Sequence, residues 1–343
     1  MFKVLRITAL LVFLVSAGCD GESSNSSPNA PAASKEPTVA VFLYNAQDVY
    51  LAGMLESLKA QLAGKYTVIV EDGRSDQMTQ NEQLDTLLAQ GVDAVLYNPV
   101  EPQASSLALD LAQKANVPII FFNREPNLDV LKTYNKAAFV GTAVFDAGKL
   151  QGEIIRDIWQ EHPEFDRNGD GKFQFVMFQG EPDNPEAIAR TEYSIKSARE
   201  LGVQMEQVGQ TNISNWDRKT AYEAMKLILA TSFQDVELVV SNNDNMALGV
   251  IDALQEIGYN QKDSNKTKFI PVVGVDAIAE AVDAIRSGTM SATVKQDSDA
   301  MAKAIAELTI NACEKRDFLE GTEYSWDDSG VAVRIPYSKF KLE

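Results

Sequence analysis

From Thr38 onward, short runs of Val, Ile, Leu and Phe alternate with stretches whose apolar positions recur at helical spacing. Thr38 to Tyr44, Tyr66 to Glu71, Asp93 to Asn98 and Val117 to Asn123 are apolar runs of strand length. Runs of this kind predict strands buried on both faces, as in a parallel sheet. Helical period fills the gaps near residues 50–63, 77–90 and 103–115, so the first half reads as a βαβ series. The pattern then restarts, with strands predicted at Phe173 to Gln179, Gln204 to Gly209, Glu237 to Ser241 and Ile270 to Val275, and helices between and after them. The fold class expected is α/β, with two doubly wound domains. In open sheets of this kind ligands bind beyond the carboxyl ends of the strands. Asn98, Asn123, Asn243 and Asp276 all stand at such ends.

Ahead of Thr38 the alternation is absent. Lys3 and Arg6 precede an apolar run from Ile7 to Val15, too short to span a bilayer but long enough for a signal-peptide core. Ser16-Ala17-Gly18-Cys19 follows and resembles the bacterial lipobox, in which the cysteine is lipidated and becomes the new N-terminus. The other reading is an ordinary secretory signal with an incidental cysteine. On the lipobox reading residues 1–18 are removed, Cys19 carries the anchor, and Asp20 resembles a signal for retention in the inner membrane. Residues 19–37 are Ser, Asn, Pro, Ala and Lys without period, which predicts a flexible tether.

Charge and composition narrow the function. The 343 residues carry 31 Lys+Arg against 49 Asp+Glu, a formal charge of -18. Nucleic-acid binding needs a dense cationic face, so it is disfavoured, and so is affinity for anionic lipid beyond the anchor itself. The length accommodates about two domains at roughly 100 to 200 residues each. One histidine, His162, and two cysteines, Cys19 and Cys313, leave almost nothing for zinc cages or for Ser-His-Asp and Cys-His catalysis. No enzyme is expected. Cys313 ends a helical run from Ala302 and reads as a small buried hydrophobe. Gly141 to Gly148-Lys149 departs from a phosphate loop in both spacing and its following Leu150.

The sharpest motif is Asp166-Arg167-Asn168-Gly169-Asp170-Gly171-Lys172-Phe173-Gln174. Oxygen-bearing side chains at positions 1, 3 and 5, a glycine at 6 and a carbonyl at 7 reproduce an EF-hand calcium loop. Position 12 is Met177, where an EF-hand needs a bidentate Glu. Either the segment is an Asp/Asn/Gly turn, or another part of the chain supplies the carboxylate.

Several short runs carry a collinear resemblance over about Thr38 to Tyr337. They are Asn98 after Ala94-Val95-Leu96-Tyr97, then Phe121-Phe122-Asn123-Arg124-Glu125-Pro126, then Gly180-Glu181-Pro182 leading to Arg190-Thr191, then Ser241-Asn242-Asn243-Asp244 and Gly274-Val275-Asp276-Ala277. Together they resemble the periplasmic galactose/glucose-binding proteins of ABC sugar importers. The resemblance implies two Rossmann-like lobes joined by three crossings, near Gly141-Thr142, Gln296-Asp297 and Arg334 to Tyr337. Residues 38–141 plus 298–333 would form the amino-terminal lobe, and residues 142–297 plus 334–343 the carboxyl-terminal lobe. It also implies a monomer that clamps a hexose in the cleft and delivers it to an importer permease. The alternatives are a sensor that presents its closed form to a chemoreceptor or sensor kinase, and a protein for a different monosaccharide. Sugar-responsive repressors share such lobes, but they need a basic helix-turn-helix ahead of the core.

The sugar set implied is Asp48, Tyr50, Asn98, Asn184, Glu186, Arg190, Trp216, Asn243, Asp276 and Gln296. Tyr50 and Trp216 would supply aromatic faces, one from each lobe, and the polar groups would bridge hydroxyls. Singly, these residues have structural readings too: Asp48 as a helix cap, Arg190 as the partner of Glu186, Trp216 as core. Three departures from the family bear on which sugar is held. Asn184 and Glu186, in Asn184-Pro185-Glu186, stand where the family has His and Asp, and Gln296 replaces an Asn; separately, Tyr50 stands where Phe is usual, which keeps the ring face and adds a hydroxyl. For the acidic loop the family borrows a distant Glu, and Glu237 stands at the matching place. Structural Ca²⁺ would then be held by Asp166, Asn168, Asp170, the Lys172 carbonyl, Gln174 and Glu237.

Overall fold

The structure is a computed structural model that describes residues 36–262, 266–340 and 342. The expected signal peptide, the lipidation site Cys19 and nearly all of the tether lie outside the described residues. Among the described residues no helix is long and apolar enough to cross a membrane.

Two sheets organise the chain. The first begins with β1 (Thr38–Leu43), which pairs in parallel with β2 (Thr67–Asp72) on one side and β3 (Ala94–Tyr97) on the other, and continues through β4 (Ile119–Phe122) to β5 (Ala137–Gly141). After Gly141 the chain passes into the second sheet, made of β6 (Phe173–Gln179), β7 (Met205–Gln207), β8 (Asn212–Ile213), β9 (Leu238–Ser241), β10 (Val272–Asp276) and β11 (Ala292–Gln296). It returns after Gln296 through the helix Ser298–Cys313, which packs with the helix Val49–Leu62 against the first sheet. β12 (Ala332–Arg334) then pairs with β5, and β13 (Tyr337–Lys339) crosses once more to lie antiparallel to β11. Every other pairing is parallel.

The continuous apolar runs follow from burial on both faces. Along β1, Val39, Val41 and Leu43 face the helices Val49–Leu62 and Ser298–Cys313, while Ala40 and Phe42 face a second cluster with Leu84 and Leu109. The second sheet is sandwiched in the same way. The glycines Gly148 and Gly152 lie inside the helix Asp146–Glu161, where the helix Pro185–Glu200 comes so close that a β-carbon on Gly152 would meet Ser194 O at 2.7 Å. Close helix packing, not phosphate binding, accounts for that glycine spacing.

At the crossings Arg334 is the knot. Its Nη1 donates to the Thr142 carbonyl at 2.7 Å and to Glu125, and its Nε to Asp327 Oδ2 at 2.8 Å. One residue thereby ties two of the crossing segments together.

Candidate functional site

The carboxyl ends of the strands in both sheets face one cleft of about 380 Å³, its solvent opening included. Its walls are Tyr44, Asp48, Tyr50, Asn123 and Arg124 from the first lobe and Asn184, Glu186, Arg190, Trp216, Asn243, Asp276 and Gln296 from the second. Nine of the ten residues expected from the sequence are therefore brought together.

Asn98 is the exception. It lies beneath the wall, fully buried, with its Oδ1 accepting from the Tyr44 N–H at 3.1 Å and its Nδ2 donating to the Phe122 carbonyl and to Asn123 Oδ1. Its amide is used up in joining the ends of β1, β3 and β4. Asn123, held at a φ of 61°, is the asparagine on the cavity wall. The left-handed backbone there is one that Asn adopts more readily than most residues.

Several wall residues are helix caps as well. Asp48 Oδ1 accepts from the Leu51 N–H at 3.0 Å, Asn184 Oδ1 from the Glu186 and Ala187 N–H groups, and Asn243 Oδ1 from the Met246 N–H at 3.0 Å. Capping fixes each side chain by one oxygen and leaves the remaining polar atoms for other partners. The Tyr50 hydroxyl donates not into the cleft but to Met301 Sδ at 3.6 Å, so this side chain offers the cavity its ring.

Arg190 is the electrostatic centre. It is 3% exposed and donates to the Asn242 carbonyl at 2.7 Å, Gln296 Oε1 at 2.8 Å and the Tyr337 hydroxyl at 2.9 Å. Glu186 and Asp276 stand 3.3 and 3.6 Å from it. Glu186 also accepts from the Thr142 hydroxyl at 2.9 Å and from the Tyr337 hydroxyl, which links the cavity to two crossing segments. Burial pushes the Asp276 carboxyl well above the usual carboxylate range although Arg190 pulls the other way. Asp244, wholly buried behind it, is raised for the same first reason. Among the described residues of the cavity wall, two buried nitrogen donors have no partner: Arg190 Nε and Gln296 Nε2. A buried donor left unpaired costs about 1 to 3 kcal/mol, so this pair marks a place for an acceptor oxygen of a ligand.

Across the mouth Arg124 bridges the lobes. Its Nη2 donates to both Glu181 oxygens at 2.8 Å, its Nη1 donates to the Val100 carbonyl, and its guanidinium lies 3.5 Å over the Tyr44 ring. Tyr44 in turn donates to Asp48 Oδ2 at 2.6 Å. Tyr44 and Arg124 were not in the sequence-derived set; opposite charges facing each other across a cleft are visible only once the lobes are placed. An ion pair that crosses the mouth, one guanidinium nitrogen shared between both carboxylate oxygens, favours the closed arrangement. Arg124→Ala is expected to raise the radius of gyration of the ligand-free protein in small-angle scattering. An unchanged scattering curve would show that the pair does not hold the lobes together.

The acidic loop lies in the second lobe, joined to the start of β9. Asp166 accepts from the Gly169 and Gly171 N–H groups, Asp170 from the Lys172 N–H, and Glu237 from the Arg167 and Gln174 N–H groups. Asn168 Oδ1 accepts from the Asp170 N–H at 2.9 Å. Glu237 is 2% exposed, and burial pushes its carboxyl up. Among the described residues no group of three or more His, Cys, Asp and Glu gathers as a metal cage. The loop's donor set is instead mixed, with amide and carbonyl oxygens beside the carboxylates. The Gln174 Oε1 atom, expected as a ligand, is buried and has no partner.

Comparison with known proteins agrees with this architecture. A family profile described as a periplasmic binding protein domain matches residues 39–317. The D-galactose/methyl-galactoside binding periplasmic protein MglB of Haemophilus influenzae is 34% identical over 302 residues, covering 87% of this chain and 88% of its own. A putative rhizopine-binding protein of Rhizobium meliloti is 31% identical over 70% of this chain and 72% of its own. Among solved structures, an ABC transporter solute binding protein from Bacillus halodurans with bound myo-inositol superposes with a TM-score of 0.72 at 25% identity, covering 90% of this chain and 95% of that one.

Proposed function

This chain belongs to the periplasmic binding protein family, and from that premise we propose that it captures a hexose, D-galactose or D-glucose, by closure of its two lobes and delivers it to the permease of an ABC importer. In this reading it is a monomeric lipoprotein, held at a bacterial membrane in the periplasm through Cys19, and performs no chemistry on its ligand. The observation that carries it is the cleft itself. Hydroxyl-binding groups from both lobes converge there with three aromatic residues, Tyr44, Tyr50 and Trp216, and the unpaired Arg190 Nε and Gln296 Nε2 await an acceptor. A ligand touched by both lobes makes contacts in the closed form that the open form lacks, so it selects closure. The relative named for D-galactose supports the hexose assignment.

Asn184 bears on which hexose is held. Its Oδ1 is spent on the helix cap and its Nδ2 donates to Glu181 Oε2 at 3.2 Å, so one amide hydrogen remains for the ligand. It cannot become a cation. Titration calorimetry of the soluble domain against D-glucose, D-galactose, pentoses and myo-inositol tests the reading. Heat with either hexose is expected; heat with neither would overturn the assignment.

The loop from Asp166 to Gln174 is proposed to hold a structural Ca²⁺ with Glu237. Its donors suit a hard cation, and Gln174 Oε1 lacks any other partner. Since a ligand bound only by the native state stabilises by RT ln(1 + [L]/Kd), Ca²⁺ at roughly 100 times Kd would add about 2.7 kcal/mol. Chelation is expected to lower the melting temperature, and Glu237→Gln to remove most of that calcium-dependent shift. If both leave the melting curve unchanged, the loop is only a turn.

A further inference from the structure

Trp216 occupies an unusual corner of the chain. It and Asn215 both have positive φ, 64° and 49°, a conformation that costs a bulky residue of order 1 to 3 kcal/mol. The corner is pinned on both flanks. The Ser214 N–H donates to the Gln179 carbonyl at 2.8 Å, the Asp217 N–H to the Ser214 carbonyl at 2.8 Å, and Asp217 caps the helix Arg218–Thr231. The Asn245 Nδ2 donates to the Trp216 carbonyl at 2.9 Å. The indole then lies over the backbone of Gly180. A β-carbon on Gly180 would fall 2.3 Å from Trp216 Cε2 and Cζ2 and 2.5 Å from Cη2, far inside van der Waals contact. Gly180 is not among the glycines with positive φ, so the position uses the missing side chain and not backbone freedom.

We propose that Gly180 and Asn245 are positioning residues that seat the Trp216 indole as a preformed face of the cavity. The inference rests on the reading of the cleft as a sugar site, because an aromatic face is worth holding in place only if a ring stacks on it. Gly180 sits at the carboxyl end of β6, with its N–H donating to Asn242 Oδ1 at 3.1 Å, and its flat backbone forms the seat. Asn245, in the first turn of the helix Asp244–Glu256, fixes the peptide from which the indole projects. With the ring immobilised before binding, little side-chain freedom remains to be lost when a ligand arrives.

The test is a double-mutant cycle with two readouts. Gly180→Ala should change the tryptophan band of the near-ultraviolet circular dichroism of the ligand-free protein and weaken D-galactose or D-glucose binding about tenfold or more. In a Trp216→Ala background, adding Gly180→Ala should change neither the near-ultraviolet spectrum nor the melting temperature, since no ring remains to be displaced. Asn245→Ala should raise quenching of the tryptophan emission by acrylamide. An unchanged tryptophan band in Gly180→Ala would overturn the proposal, as would an equal loss of melting temperature with and without the indole. A parent protein that binds neither hexose defeats the functional reading alone; the ligand-free spectra still decide whether Gly180 seats the ring.

Discussion

Arg190→Ala is expected to abolish hexose binding and to lower folding stability by about 3 to 5 kcal/mol at neutral pH, the loss usual when one partner of a buried ion pair is removed. The guanidinium is almost wholly buried and stands against Glu186, Asp276 and the Tyr337 hydroxyl. Without it two carboxylates face each other with Asp48 also on the wall, and the Asn242 carbonyl and Gln296 Oε1 lose their donor. The loss should depend on pH in a set direction. Burial already raises the Asp276 carboxyl, and Arg190 is the group that pulls it down, so in the variant it rises further. A carboxyl whose folded value lies above its unfolded value contributes most stability when protonated, and that contribution falls as pH climbs toward the folded value. The stability gap between variant and parent should therefore narrow as pH is lowered in denaturant titrations. A gap that stays constant would assign the loss to packing and hydrogen bonds, not to unpaired carboxylates.

How far the sequence reveals this arrangement depends on where each residue's partners lie. β1, β3 and β4 are legible because each is apolar over nearly its whole length, as burial on both faces demands, whereas β2, Thr-Val-Ile-Val-Glu-Asp, lies at the sheet edge and is legible only from its apolar centre. β5, Ala-Ala-Phe-Val-Gly, is half small residues, and β11, Ala-Thr-Val-Lys-Gln, ends in polar ones. Their strand character comes from neighbours, β4 and β12 for the first and β10 and β13 for the second, so local pattern misses both. β12 and β13 are three residues each and exist as crossings. The two asparagines show the same limit at the site. Asn98 and Asn123 both follow an apolar run, yet the first is drawn inward by the Tyr44 N–H and the Phe122 carbonyl while the second turns to the cleft. A helix cap and a place on the cavity wall do not exclude each other at Asp48, whose Oδ1 serves the cap while its Oδ2 accepts from the Tyr44 hydroxyl. Pairing with Glu186 and lining the cleft likewise coexist in Arg190.

Trp216→Ala should weaken hexose binding by about 2 to 4 kcal/mol, roughly 30- to 900-fold in Kd, from lost stacking and lost apolar contact. Folding should suffer much less. The indole is only half-buried, packed at the margin of the second lobe's core, and what its removal costs there is partly offset by relief of crowding at a left-handed corner. The corner supplies a way to separate the two effects. Glycine adopts a φ of 64° without penalty whereas alanine does not, so Trp216→Gly should be at least as stable as Trp216→Ala and bind no better. Calorimetry gives the affinities, and thermal melts of the ligand-free variants give the stabilities. If Trp216→Ala binds as the parent does while its melting temperature collapses, the indole is a core residue and the aromatic face of the cavity is elsewhere. If binding is lost and both variants still melt cooperatively near the parent, Trp216 acts on the ligand and not on the fold.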